Sequence, residues 1–316
     1  LKKINNKLLN VIKIIWVIAV VAGGAYYIVK NYTTAIHYLS TISVWKLILS
    51  FLLIFIMRIL NVDLVQQSLV LIGWKPNFKE AFSFVSLSQL GKYIPGGVWQ
   101  FVARFGAYKE NQIAYKDMGK AFVVENIWVV IGASLVSMFF IFISKADAIY
   151  QKFNLTISPI LQAVLAVICL LLWIGLLIGI ELFFKSEVHK PGLKNVLKQF
   201  VSQTAMWIIF GLSFFCLFSR TGTLNDLFFT IGAFGLSFVA GYVVIISPGG
   251  IGVREYVAVI LFALMFSSTE IGIYTIVHRL LYTVAEFLAA GIALLISKKN
   301  KKTQNEINPS TAGSAN

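Results

Sequence analysis

Acidic residues are scarce in this sequence: 13 Asp and Glu stand against 27 Lys and Arg in 316 residues. Charge of either sign makes up 13% of the chain, about half the share usual in a soluble domain. Set beside 58% hydrophobic residues and a mean hydropathy of +0.82, that deficit excludes a soluble globular class and indicates a polytopic membrane protein. Cysteine is rarer still. Cys169 and Cys216 both lie inside apolar runs, which argues against a disulfide framework or a thiolate metal site. The three histidines, His37, His189 and His278, are far apart, and the sequence lacks a metal-ligand cluster, a P-loop and a dinucleotide fingerprint. The expectation is a protein that is not an enzyme and uses no cofactor or metal. The net charge of +14 does not point to nucleic acid either. The lysines sit between apolar segments and at the two ends, as anchors do at a negatively charged leaflet.

Apolar runs of about 20 residues recur along the chain, each enough for a ~30 Å hydrocarbon core. Six read as full spans, at about 8–30, 45–70, 119–144, 159–184, 199–219 and 273–297. Two more are interrupted: about 80–108, broken at Pro95-Gly96-Gly97, and about 226–266, broken at Pro248-Gly249-Gly250. The basic start and small residues of the first run would also suit a signal peptide, but its apolar stretch is long and further spans follow, so a retained helix is favoured. The tail 298–316, basic and then polar and small, has the composition of a disordered cytoplasmic segment.

With the N-terminus cytoplasmic and each broken segment entering and leaving on one side, one face collects the lysines of the N-terminus, 75–79, 109–120, 185–198 and 298–302. The other holds Lys30, Lys46, Lys145, Lys152 and Arg220. This asymmetry predicts an inner-membrane protein with both termini cytoplasmic. Each half then reads span, span, broken hairpin, span, and three crossings per half invert the second relative to the first. The predicted fold is an all-α polytopic membrane protein of two inverted repeats, each three spanning helices plus one Pro-Gly-Gly-broken re-entrant hairpin. It has six full spans, or eight if the hairpins cross. Repeat one covers about 8–144 and repeat two about 159–297, within a single transmembrane domain 1–297. The first hairpin's arms, about 15 and 11 residues, favour re-entry; the second's, near 20 and 18, could nearly span. Broken helices at matching points of two inverted halves point to a transporter's binding site.

Four of the five arginines lie in or beside apolar segments: Arg58, Arg104, Arg254 and Arg279. Acids in similar places are Asp63, Glu125, Glu181, Glu255 and Glu286. A charge near the bilayer centre costs at least ~2.5 kcal/mol, so such groups face a cavity or a partner. Glu181 is near a span end and can reach the interface, and Arg58 and Asp63 can serve as anchors. Arg104, Arg254 and Glu255 instead follow a break. A helix restarting after Pro-Gly-Gly exposes its first N–H groups and the positive end of its dipole, an anion site that the arginine would reinforce. Structural bridges Arg254–Glu286 or Arg279–Glu255 are the competing explanation. His278 reads as an interfacial residue rather than a proton carrier. Lys92, at the first hairpin's tip, is a further candidate phosphate contact. The candidate substrate-binding set is Lys92, Pro95, Gly96, Gly97, Arg104, Pro248, Gly249, Gly250, Arg254, Glu255, Arg279 and Glu286.

The stretches LSQLGKYIPGGVWQF, SPGGIGVREY and HRLLYTVAEFLAAGI resemble the lysylphosphatidylglycerol synthase transmembrane-region family, also called flippase-like integral membrane proteins. The resemblance runs over about residues 10 to 297. In bifunctional members it implies movement of aminoacylated phosphatidylglycerol between leaflets, with a soluble synthase domain following. A short polar tail stands here where that domain would begin, so aminoacyl transfer is not carried over. The resemblance implies a translocase for an anionic lipid, a phospholipid or a polyprenyl-phosphate-linked glycan, with membrane lipids as partners. An ion-coupled transporter of a small anionic solute, or a membrane-embedded transferase acting on lipid phosphate, remain alternatives.

Overall fold

The computed structural model describes residues 26, 29–30, 32–93, 99–144, 150, 156–184, 189–218, 222–244, 247–263 and 265–307. The first predicted span, about 8–30, falls almost entirely outside them, as do Pro95, Gly96 and Gly97. The described residues are helical, with no strand. In hydrocarbon every backbone polar group must be satisfied within the segment, and the helix does this. A short helix α1 (Tyr32–Thr41) leads into α2 (Val44–Leu71), capped by Ser43. Asn77 caps α3 (Phe78–Gln89), which tightens into a 3-10 turn at Leu90–Tyr93. Beyond the tip come α4 (Trp99–Glu110) and α5 (Tyr115–Ile143), the latter carrying a π turn at Trp128–Gly132. Ser158 caps α6 (Pro159–Phe183), with Pro159 in the first turn, where its missing N–H costs nothing. Then follow α7 (Leu193–Phe215), α8 (Leu224–Val243), a 3-10 turn at Pro248–Gly250, α9 (Val253–Phe262) and α10 (Ser268–Ile307).

Five of these helices are long and apolar enough to cross a membrane: α2, α5, α6, α8 and α10 up to Ser297. The segment expected as a span at 199–219 is the helix α7, but it is not among the five. Lys198 and the buried Gln199 and Gln203 lower its hydropathy, although 23 residues give it about 34 Å of length. The arms α3 and α4, 12 residues each, reach about 18 Å and fall short of a ~30 Å core. The second hairpin departs from the expected lengths. Its first arm α8 has 20 residues, but α9 has only 10, or about 15 Å. The apolar run continues past Phe262, but the helix does not: Ser267 accepts from the Glu270 backbone N–H and starts α10 afresh. That last helix extends to Ile307, through basic residues expected in the disordered tail; 308–316 lie outside the described residues.

The two halves interlock. α2 packs along α7, α3 lies against α10, and α8 lies against α5. Small residues allow the close crossings. A Cβ on Gly211 of α7 would sit 2.4 Å from the Ile231 Cα, and one on Gly235 of α8 would sit 2.1 Å from the Ser137 hydroxyl of α5. Rings fill the space between α7, α8, α9 and α10, with Phe214 and Phe234 stacked at 3.9 Å and Phe262 edge-on to Phe214. His278 lies inside this cluster, fully buried and 2.8 Å from the Ser213 hydroxyl, not at the interface where the sequence had suggested it. The 3-10 turns of the two hairpin tips touch each other.

If α7 crosses the bilayer, three crossings separate the α4–α5 turn from the start of α8. In a background lacking Cys169 and Cys216, Lys75→Cys and Asn111→Cys should label with a membrane-impermeant reagent from one side. Leu224→Cys and Ser268→Cys should label from the other. All four labelling from the same side would remove α7 from the spans and the inversion with it.

Candidate polar cavity at the hairpin tips

A cavity of about 500 Å³ lies where the two tips meet. Its wall draws on both hairpins and on α2, α5 and α10: Lys92, Tyr93 and Gln100 from the first hairpin, Gly249, Gly250 and Arg254 from the second, with Asn61, Glu125, Asn126, Arg279 and Tyr282. Pocket sizes of roughly 300–1,000 Å³ are usual for small-molecule sites.

The second tip is built by glycine. Gly249, Gly250 and Gly252 have φ of +61°, +73° and +87°, a left-handed region open to glycine at no steric cost. Gly250 also presses against α8, where a Cβ would come 2.9 Å from the Gly241 carbonyl oxygen. The helix start that follows is not an open anion site. Glu255 folds back and accepts from the Gly252 N–H at 2.7 Å, so the chain's own carboxylate occupies that terminus. Arg279 of α10 then donates to Glu255 at 2.7 Å and to the Gly249 carbonyl at 2.9 Å. The bridge Arg279–Glu255 therefore exists, and it pins the tip to the last helix. Pro248 opens the 3-10 turn.

The other expected contacts resolve differently. Arg104 is buried and absent from the cavity wall; it donates to Ser88 at 3.0 Å and to Glu125 at 2.8 Å. Arg104 is thus committed to a bridge from α4 to α5. Lys92 does line the cavity, but its ammonium donates to Glu286 at 2.5 Å. Glu286, fully buried and off the cavity wall, also accepts from Tyr93 at 2.6 Å and Arg58 at 2.8 Å. Arg58 is accordingly no interfacial anchor: it is 5% exposed and reaches across to α10. Asp63 pairs with Lys198 of α7 at 2.9 Å. Glu181 is likewise buried, bound by His189 at 2.9 Å and Gln199 at 2.6 Å, and does not reach the interface.

Arg254 stands apart. It is 8% exposed and lines the cavity, yet among the described residues it has no carboxylate partner and no hydrogen-bond acceptor; the bridge Arg254–Glu286 does not form. Its guanidinium is held by rings instead, 4.8 Å from the centroids of Phe210 and Phe234, 5.5 Å from Phe238 and 5.8 Å from Tyr282. Stacking on aromatic faces offsets part of the desolvation and leaves the guanidinium's donors uncommitted. Reading the sequence did not find this cage, nor the amides on the wall, because Phe210, Phe234 and Tyr282 come from three different helices. Among the described residues, no group of three or more His, Cys, Asp or Glu could hold a metal ion.

The fold and this cavity define an integral, multi-pass α-helical membrane protein with a buried, positively charged polar site. The chain belongs to the family described as the lysylphosphatidylglycerol synthase TM region, whose model matches residues 14–290. No significant match among curated proteins was found.

Two substitutions test the architecture of the site. Arg104→Ala leaves Glu125, 12% exposed on the cavity wall, without its cation and should cost about 1–3 kcal/mol; adding Glu125→Gln should recover most of it. Thermal unfolding of the purified proteins reads this, and a double variant no more stable than the single would remove the bridge's structural role. Gly250→Ala combines an unfavourable positive φ, about 1–2 kcal/mol, with a clash against Gly241. It should unfold well below Gly272→Ala, whose new Cβ meets nothing within 4 Å. Equal unfolding temperatures would mean the tip tolerates a side chain.

Proposed function

We propose that this chain is a lipid translocase of the inner membrane and not an enzyme. Its cargo would be an anionic lipid, a phospholipid or a polyprenyl-phosphate-linked glycan, whose phosphate binds Arg254 while the tails stay in the bilayer. The observation that carries this reading is Arg254 itself: a buried guanidinium on a cavity wall, caged by rings and lacking a carboxylate among the described residues. An unpaired buried charge is expensive and marks a functional site, and a guanidinium's planar fork suits phosphate.

The exchange of partners between the halves supports the inverted-repeat architecture. The first arm of each hairpin packs on the last helix of the opposite half, α3 on α10 and α8 on α5. Each second arm is bridged to the helix that follows it, with the charges reversed: Arg104 to Glu125, Glu255 to Arg279. Short arms, touching tips and the lysine asymmetry support re-entrant hairpins and cytoplasmic termini. The site then lies where two rocking halves would meet.

In proteoliposomes, Arg254→Ala should abolish flipping of a fluorescent anionic phospholipid while leaving the unfolding temperature near that of the native protein, because it strands no carboxylate. Arg254→Lys should recover only part of the rate, since the ammonium lacks the fork. Native-rate flipping by Arg254→Ala would end this reading. So would uptake of a soluble anion with no movement of lipid.

A further inference from the structure

Taking the lipid-binding reading above as its basis, we propose that the cavity selects a headgroup of net negative charge carrying neutral hydroxyls, a phosphodiester of a polyol, and rejects an aminoacylated headgroup. The first ground is charge. Around the tips the structure gathers five cations, Arg58, Lys92, Arg104, Arg254 and Arg279, against three carboxylates, Glu125, Glu255 and Glu286. Each carboxylate is already bridged to a cation: Glu286 to Arg58 and Lys92, Glu125 to Arg104, Glu255 to Arg279. Two positive charges remain in excess. A phosphodiester relieves that excess. A lysyl ester of phosphatidylglycerol carries two ammonium groups on one phosphate and would add to it, and the one carboxylate on the cavity wall, Glu125, is engaged by Arg104.

The second ground is hydrogen-bonding capacity. Asn61, Gln89 and Gln100 line the cavity, are half-buried, and make no side-chain hydrogen bond among the described residues. Each amide offers a donor and an acceptor side by side, which matches neighbouring hydroxyls and is only half used by an ammonium. A site that must hydrogen-bond hydroxyls discriminates strongly against ligands lacking them. A cavity of about 500 Å³ has room for a phosphate and its polyol together.

The test offers the purified full chain equal amounts of phosphatidylglycerol, phosphatidylinositol, phosphatidylethanolamine and lysylphosphatidylglycerol, and reads retained lipid by native mass spectrometry. The two polyol lipids should be retained at least about tenfold over the other two, a modest ratio for a hydrogen-bonding site. Which of the two is held more tightly tells whether glycerol or a ring polyol is the better fit. Gln100→Glu adds a carboxylate to the wall that offsets one of the two excess charges, and should raise retention of the lysyl lipid relative to phosphatidylglycerol several-fold. Equal or stronger retention of the lysyl lipid or of phosphatidylethanolamine by the native protein overturns the proposal, as does a Gln100→Glu variant with an unmoved ratio. Flipping rates on the same preparations separate the two readings. Selective retention without flipping removes the translocase and leaves the headgroup preference, whereas lysyl lipid flipped as fast as phosphatidylglycerol does the reverse.

Discussion

A charge buried in a membrane protein must find an opposite charge, a cavity or an aromatic face, and the arrangement of this molecule follows from how it meets that demand. Three carboxylates bind four cations, and every bridge joins segments that chain connectivity alone would leave free to shift. Glu286 ties α10 to α2 and to the first tip through Arg58, Lys92 and Tyr93. Glu255 and Arg279 tie the second tip to α10, and Arg104 and Glu125 tie α4 to α5. In water such bridges would contribute little, about 0–1 kcal/mol. Glu286 is fully buried and has no bulk solvent to return to, so removing its partners strands a charge, whereas Arg279 and Glu255 keep partial access to the cavity side. The broken hairpins, whose arms are short, are thereby fixed against the longer helices.

The same demand explains why the glycine-rich break does not work as a bare helix terminus. Left open, the start of α9 would present unsatisfied N–H groups beside a cavity already rich in cations. Glu255 satisfies one of them from within the helix, and Arg279 then neutralises Glu255. The dipole is thus used to hold the tip's own carboxylate in place. The uncommitted cation stands one residue back along the chain, at Arg254, whose charge is shielded by π faces instead of by a carboxylate.

Much of this was legible in the sequence because composition and breaks are local. The spans at 45–70, 119–144, 159–184 and 273–297, the Pro248-Gly249-Gly250 interruption and the four arginines in or beside apolar segments are visible without partners, and the helices α2, α5, α6 and α10 stand where those runs lie. Partners were less legible. Glu125 is 21 residues from Arg104, but Glu286 is 228 from Arg58, and no periodicity links them. The shortness of α9 was hidden by apolar residues running on past Phe262, although Ser267 with Glu270 three residues later is a readable helix start. The borderline status of α7 has the opposite cause: its glutamines are buried against neighbours, where hydropathy alone counts them as polar.

The bridges also differ in how much each can release. Arg104 is the one cation bridged to Glu125 among the described residues, so parting them leaves a half-buried carboxylate with no cation. Glu286 is over-supplied: without Lys92 it would keep Arg58 on one oxygen and Tyr93 on the other. Lys92 is also the member of that cluster whose ammonium belongs to a cavity-lining residue, since Arg58 and Glu286 are absent from the wall. A phosphate drawn in by Arg254 could therefore compete for Lys92 without stranding Glu286. The first tip would then be held to α10 by fewer contacts, while the α4–α5 bridge stayed closed. On the proposed binding of phosphate at Arg254, binding energy at the cavity would be coupled to the contact that joins the tip to the opposite half, because otherwise similar ion pairs have unequal numbers of partners.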